Sequence, residues 1–284
     1  MAVVCNRGRS LLKWAGGKTR SAAVLSALPP PRWRRYVEPF CGSAAVFFAV
    51  APNDALLADA NAELVVCLQE VAHDAENIMR ILDRMPNERQ YFNQVREQSP
   101  EQLADDVRAA RVIYLNKTAF RGLWRVNRNG RFNTPYGQYR RPYYNRETLL
   151  RAAEQLRGVE VLCADFRDVL AATGAGDWVY LDPPYVPDRK WGDFTRYTAG
   201  QFGPADQRDL AQSARAAVKR GAAIMLTNSD MPQVRKLYAA MHMHILPTRR
   251  DIALKKSDRP SADLVVTSYP VQHDALVSLL DWDR

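Results

Sequence analysis

Short apolar runs that each end on a polar or acidic residue, and then give way to helical spacing, constrain this 284-residue chain more than any other feature. The runs are RYVEPF at 35–40, ALLAD at 55–59, VEVLCAD at 159–165, DWVYLD at 177–182 and AAIMLTN at 222–228, with MHILP and DLVVTSYP as later candidates. A strand buried on both faces reads as a continuous apolar run, and helices between such strands supply the crossovers of a parallel sheet. The pattern predicts an α/β fold built on an open sheet, with its site at the carboxyl ends of the strands. PADQRDLAQSARAAVKR at 204–220 reads as a helix, with Pro204 in its first turn and Gly221 just past its end.

The third run follows the second by about a hundred residues, too far for a simple crossover. Ala75 to Asn116 is helical in pieces, broken near Met85-Pro86 and Ser99-Pro100. LWRVNRNGRFNTPYG follows, where Asn129-Gly130 between basic, alternating flanks reads as a hairpin turn needing positive φ. A helical module carrying a basic hairpin is thus expected as an insertion, and ALPPPRWRR at 27–35 as a turn between the first helix and first strand.

Charge points to a partner. The chain carries a net +9, and the segment from Arg108 to Arg146 alone holds ten Lys or Arg and no Asp or Glu, so the whole excess resides there. Eight aromatics are interleaved with those cations: Tyr114, Phe120, Trp124, Phe132, Tyr136, Tyr139, Tyr143 and Tyr144. Cations for phosphates and guanine edges, with flat rings for exposed bases, suit a nucleic-acid surface; a solvated basic face is the plainer alternative. The longest apolar stretch, AAVFFAVA at 44–51, falls far short of the roughly 20 residues that span a bilayer, so no membrane partner is expected. No basic leader precedes a long apolar segment, and a cytoplasmic location follows by default. Cys5, Cys41, Cys67 and Cys163 form no CxxC pair and read as small buried hydrophobes, and His73, His242, His244 and His273 read as ordinary residues, so no metal site is expected.

Three motifs carry chemistry. In VEPFCGSAAVF at 37–47, Gly42 stands at the turn from the first strand into a helix, and Asp59 closes the second strand. A tight glycine turn admits close backbone approach to a ligand, and a carboxylate at that strand end can accept hydrogen bonds from ribose hydroxyls, which describes a nucleoside site; plain strand-to-helix packing is the alternative. There is neither GxGxxG nor GxxxxGK[ST]. In LLKWAGGKTR, Gly16 and Gly17 lie between Trp14 and Lys18, an indole to pack on a ligand and an ammonium to meet a carboxylate, or else a solvent turn beside a buried tryptophan. In YLDPPY at 180–185, Asp182 and the carbonyl of Pro183 can accept the two hydrogens of an exocyclic amine and free its lone pair. Pro183 and Pro184 fix φ and have no N–H to compete, and Tyr185 offers a face for the base; an acidic strand end with a Pro-Pro turn is the rival reading.

WAGGK, VEPFxGxxxVF, LAD, YLN…GLxRxNxxGxFNxPxG and DPPY, in that order over nearly the whole chain, resemble the Dam-type (D12 class) DNA adenine-N6 methyltransferases. The resemblance implies S-adenosyl-L-methionine as methyl donor and double-stranded DNA as partner. It implies a Rossmann-like methyltransferase sheet formed by residues 1–72 and 147–284, with 73–146 as an inserted helical target-recognition domain. By position, Trp14, Gly16, Gly17, Lys18, Glu38, Phe40, Gly42, Asp59 and Asp182 would bind the cofactor, and Asp165 and Phe166 would border its adenine ring. Arg125 matches the arginine that reads a guanine, Leu123 and Pro135 match apolar base contacts, and Lys13 matches a further DNA contact. Phe120, Arg121, Asn127, Arg128, Arg131 and Asn133 complete the implied DNA surface.

The chain departs from the family pattern at Ala44, where a second loop glycine is usual, at Phe120 for a tyrosine, and at Arg121 for an asparagine. The implied activity is methyl transfer to N6 of a flipped adenine at GATC or a related short site, by a monomer, with a cognate restriction endonuclease as a partner in one of its settings. Rivals left open are adenine in RNA, cytosine N4, a protein glutamine, and a DNA-binding regulator without catalysis.

Overall fold

The computed structural model describes residues 10–14, 16–127, 129–139, 142–186, 202–248 and 261–271. Cys5, Arg128, Arg140, Arg141 and His273, which enter the expectations above, lie outside them. The described strands are β1 (Arg35–Glu38), β2 (Ala55–Asp59), β3 (Glu160–Cys163), β4 (Asp177–Leu181), β5 (Ala223–Ser229), β6 (His242–Thr248) and β7 (Ser261–Thr267). They form one seven-stranded sheet in the order β3-β2-β1-β4-β5-β7-β6. β1 to β5 run parallel, and β7 is antiparallel to both β5 and β6. All seven apolar runs therefore become strands, and the open α/β expectation holds.

Period-two alternation sorts the strand residues between two cores. Tyr36, Leu57, Trp178, Tyr180, Met225 and Val265 face one side; Val37, Ala58, Val179, Leu181, Leu226 and Val266 face the other. Helices α1 (Ala22–Ser26), α2 (Ala45–Val50), α3 (Ala62–Leu82), α5 (Asp105–Thr118) and α6 (Arg146–Leu156) contribute to the first core. Helices α7 (Phe166–Ala171), α8 (Pro204–Lys219) and α9 (Pro232–Leu237) contribute to the second. The sequence continues leftward from β1 through β2 to β3, then jumps to β4 on the other side of β1. At such a reversal neighbouring connections diverge and leave a crevice beyond the carboxyl ends of the strands.

The long segment between β2 and β3 is helical, but its first helix begins at Ala62 rather than Ala75, because the Asn61 side chain accepts from the N–H groups of Glu63 and Leu64 and caps it there. The helix is broken at Asp74 (φ −149°), whose side chain accepts from the Asn77 N–H and starts a second helical stretch. Helix α4 (Arg89–Glu97) and α5 follow. The core on the α3 side of the sheet runs without a break into this segment, taking in Ile78, Phe92, Ile113, Tyr114, Trp124 and Phe132. β3 is the sheet's edge strand, where Glu160, Leu162 and Cys163 are all exposed; this corrects the expected burial of Cys163, while Cys41 and Cys67 are buried.

The basic stretch does not have the uniform surface expected of it. Arg111 is 3% exposed; it meets Glu63 at 3.4 Å and donates to the carbonyls of Val95, Arg96 and Gln98. Arg108 pairs with Glu63 and Asp105, and Arg146 with Asp83. Acids outside the segment, Glu63, Asp83 and Asp105, thus pair with three of its cations. Burial, with Lys13 nearby, brings the Lys117 ammonium down to about 8. Replacing Arg111 with Ala removes the side-chain donor from three carbonyls and from one oxygen of Glu63, and should lower the unfolding free energy by about 3 kcal/mol. Urea denaturation measures this directly; a loss below about 1 kcal/mol would mean that water reaches the site.

Candidate functional site

The turn after β1 and the end of β2 are locked together by backbone donors. Cys41 N donates to the Ala58 carbonyl at 2.9 Å, Gly42 N to Asp59 Oδ2 at 3.0 Å, and Asn61 N to Asp59 Oδ1 at 2.9 Å. Burial pushes the Asp59 carboxyl up, and these N–H donors pull against it. Gly42 has φ 47°, and a Cβ there would lie 3.0 Å from the Trp14 indole, so the turn closes over that ring only because the position is glycine. A Cβ on Gly17 would lie 2.8 Å from the Trp14 carbonyl. The WAGGK and VEPFCG motifs, far apart in sequence, therefore pack on one another.

Asp182 follows β4 on the face set by Tyr180. Lys18, 8% exposed, brings its Nζ to 2.8 Å from Asp182 Oδ1 and 3.0 Å from Oδ2. Thr227 of β5 donates to Oδ1 at 2.8 Å and lies 2.9 Å from the Tyr180 hydroxyl. Burial raises the Asp182 carboxyl above its ordinary range against the pull of Lys18 and Thr227. The Lys18 ammonium also stands 4.5 Å from the centre of the Tyr185 ring, whose hydroxyl donates to Asp263 Oδ2 on β7 at 2.9 Å. The Pro184 carbonyl accepts from Gln207 Nε2 at 2.8 Å, whereas nothing among the described residues donates to the Pro183 carbonyl. Gln207, Thr227, Tyr180 and Asp263 were not singled out from sequence. Gln207, Thr227 and Asp263 come from a helix and two other strands, and no spacing rule links them to DPPY, whereas Tyr180 precedes Asp182 by two residues and so shares its face.

Other expected residues divide. Phe40 stacks on Phe166 at 5.3 Å, and Phe202 packs against both. Asp165 caps α7 by accepting from the Arg167 N–H, and the Arg167 guanidinium lies 4.4 Å from the Phe166 ring centre. Glu38, only 2% exposed, accepts from the Tyr36 hydroxyl at 2.9 Å inside the core. Burial drives its carboxyl well above the ordinary range, and Asp182 and Asp59 add to the rise.

The hairpin alternates. Trp124, Val126, Phe132 and Thr134 are buried, while Leu123, Arg125, Asn127, Asn133, Arg131 and Pro135 share the outward face, the last two exposed and the others half-buried. Bridges pair Ala119 with Tyr136 and Val126 with Phe132. Gly130 N donates to the Asn127 carbonyl and Asn127 N to that of Arg131, with Gly130 at φ 74°. The hairpin turn expected at Asn129-Gly130 is therefore present, with Gly130 supplying the positive φ. The Asn127 side chain accepts from the N–H groups of Asn129 and Arg131 and so holds the loop. Asn133 accepts from Arg125 Nε at 2.9 Å. Of the eight interleaved rings, Tyr114, Trp124 and Phe132 are core, and Tyr136 and Tyr143 donate to main-chain carbonyls of Asn87 and Leu82. Phe120, at 47% exposed, is the large apolar side chain left outward there.

Lys13 and Trp14 reach directly into the segment between β2 and β3. Trp14 stacks on Trp124 at 5.8 Å and 19°. Asn116, fully buried on α5, accepts from Lys13 N and donates to the Lys13 carbonyl, as well as to that of Gly122.

Comparison with known proteins agrees with this geometry. The family described as D12 class N6 adenine-specific DNA methyltransferase matches residues 14–252. The type II methyltransferase M1.LlaDCHI of Lactococcus lactis subsp. cremoris is 31% identical over 271 residues, spanning 92% of this chain and 95% of its own. Type II methyltransferase M.MjaIII of Methanocaldococcus jannaschii is 32% identical over 286 residues, with 92% and 99% covered. The retron Ec67 DNA adenine methylase of Escherichia coli is 33% identical over 264 residues, covering 90% of each chain.

The state of Glu38 is testable by pH. Unfolded, its carboxyl ionises near about 4.3; folded, it stays protonated to higher pH, so above that value the unfolded state binds fewer protons and stability falls as pH rises. Glu38→Gln is neutral throughout, and its stability relative to wild type should grow from about pH 5 to about pH 8, by at most about 1.4 kcal/mol per pH unit. Urea midpoints at several pH values check this, and a constant difference would mean that Glu38 is ionised in the fold.

Proposed function

This chain belongs to the D12 class N6 adenine-specific DNA methyltransferase family, and on that premise we propose that Asp182, Pro183 and Tyr185 receive an adenine flipped out of duplex DNA. The reading is carried by one observation, the Asp182 carboxylate at the end of β4, held by Lys18 and Thr227 beside the Tyr185 ring. N6 of adenine is a poor nucleophile because its lone pair is delocalised. Asp182 and the Pro183 carbonyl accept its two hydrogens and localise that pair on nitrogen, while Tyr185 stacks on the base. Pro184 is anchored by Gln207, so the acceptors keep their aim. Extruding the base costs a few kcal/mol, offset by the stack and by phosphate contacts.

S-adenosyl-L-methionine supplies, when bound, an electrophilic methyl group on its sulfonium. The residues present fit it: Lys18 and Asp182 form an ammonium–carboxylate pair complementary to an amino-acid zwitterion. Asp59, holding one backbone donor on each oxygen, keeps acceptor capacity for ribose hydroxyls. Trp14, Gly16, Gly17 and Gly42 form the cradle between them, and Phe40, Asp165 and Phe166 take the adenine end. Glu38 acts from behind, by packing with Tyr36 under the loop.

Residues 73–146 form the target-recognition unit, and its DNA face is the outward side of the hairpin with Phe120, Arg121 and Lys13. Arg125 gives its Nε to Asn133, which leaves both terminal nitrogens to bind guanine O6 and N7. Asn127 and Asn133 serve this face chiefly by holding the loop and Arg125. GATC or a related short site is the proposed target. Kinship with type II methyltransferases supports a restriction partner acting on the same site.

Purified protein incubated with S-adenosyl-L-methionine and methyl-free plasmid, with structured RNA in parallel, should yield N6-methyladenine in DNA alone by mass spectrometry. Asp182→Ala should abolish the product and spare most DNA affinity; near-normal turnover in that variant sinks the mechanism. Arg125→Ala should cost about 1 to 3 kcal/mol of discrimination at one base. Sequencing methylated products from a randomised site library reads this out, and an unchanged preference would remove Arg125 from base reading.

A further inference from the structure

We propose that Asp263 of β7 is a positioning residue for methyl transfer, fixing the direction in which the Tyr185 ring projects by accepting its hydroxyl hydrogen bond. The inference rests on the reading that Tyr185 receives the target base. Tyr185 follows two prolines, and the backbone just beyond it is clamped to β5: Val186 N donates to Asn228 Oδ1 at 3.3 Å and its carbonyl accepts from Ser229 Oγ at 2.8 Å. The ring is then held twice, by the Lys18 ammonium 4.5 Å from its centre and by Asp263 at its far end, 2.9 Å from the hydroxyl.

Stacking alone needs no hydroxyl, since a phenylalanine offers the same face. What the hydroxyl adds is a directed bond to a rigid anchor. Asp263 is 7% exposed and lies on a strand flanked on both sides, in register with Ser229 of β5 and Leu246 of β6. A carboxylate is also a costly anchor, because it stands close enough to Asp182 to push that carboxyl upward. A neutral acceptor would stabilise the fold without that penalty. The position of the acid, one hydroxyl away from the surface that presents the base to Asp182, ties it to the acceptor side of the reaction.

The test is a cycle of Tyr185→Phe, Asp263→Ala and the double variant, with Asp263→Asn as the substitution that keeps an acceptor oxygen. Single-turnover methyl transfer to a duplex with one mapped site is measured with cofactor prebound, together with the fluorescence of 2-aminopurine at the target position and the thermal midpoint. Tyr185→Phe and Asp263→Ala should each slow transfer about tenfold, and the double variant should be no slower than either, because both remove one interaction. Asp263→Asn should recover most of the rate, and 2-aminopurine should still leave the stack in all of them. Rates that multiply in the double variant, a wild-type rate in Asp263→Ala, or failure of Asp263→Asn to recover transfer would each overturn the assignment. If the wild-type protein binds cofactor but forms no N6-methyladenine, the proposed function fails at that point; if it methylates normally and only the cycle disagrees, the role of Asp263 alone is lost.

Discussion

The crevice at the switch point gathers carboxylates, and the rest of the site is arranged around the cost of burying them. Each is stabilised by different means. Burial pushes the Glu38 carboxyl well up, toward its neutral form, and the Tyr36 hydroxyl donates to one oxygen. Asp59 keeps an N–H from the backbone on each oxygen, which ties the end of β2 to the turn after β1. Asp182 has Lys18 and Thr227, and Asp263 has the Tyr185 hydroxyl. A buried carboxylate without such partners costs several kcal/mol or becomes neutral. The two that remain strand-end acceptors, Asp59 and Asp182, are those that the proposed chemistry uses.

The helical segment inserted between β2 and β3 is joined to this crevice by packing and hydrogen bonds together. Trp14, under the Gly42 turn, stacks on Trp124 at the base of the hairpin. Asn116 bonds to both backbone groups of Lys13, and the Lys13 side chain crosses Gly122 so closely that a Cβ there would lie 2.5 Å from it. One continuous core underlies both halves. A displacement of the hairpin therefore strains the loop that lines the proposed cofactor cradle, which gives occupancy of one proposed surface a physical route to the other.

Strand ends were legible in the sequence because a buried parallel strand leaves a continuous apolar signature and a polar stop. Residues 55–59 match β2 at both ends, and the DPPY acid falls immediately after β4. The hairpin's outward face was legible for the same reason of alternation. Burial of cations was not. Arg111 and Trp124 look alike in sequence to residues of a binding surface, since composition cannot distinguish a ring or guanidinium that fills a small module's core from one that meets a ligand. Asp263 was invisible for a different reason: its meaning comes from an antiparallel strand laid beside β5 by topology, 78 residues from the tyrosine it anchors.

Backbone strain marks the two departures from the family pattern that carry most weight. Ala44 and Arg121 both sit in the left-handed region, at φ 52° and 56°, where a side chain costs roughly 1 to 2 kcal/mol relative to glycine. Ala44 is fully buried at the start of α2, so its methyl regains part of that cost by packing. Arg121 has no such return. It is exposed, its N–H is held by the Tyr139 hydroxyl at 2.7 Å, and its guanidinium lies 5.3 Å from the centre of the exposed Phe120 ring. Strain of this kind persists where surrounding structure fixes the backbone independently of the side chain. The Tyr139 bond and the neighbouring Gly122 turn do so here, leaving position 121 free to vary in chemistry, and the residue it carries in this chain sets a cation beside the exposed Phe120 ring that an asparagine would not supply.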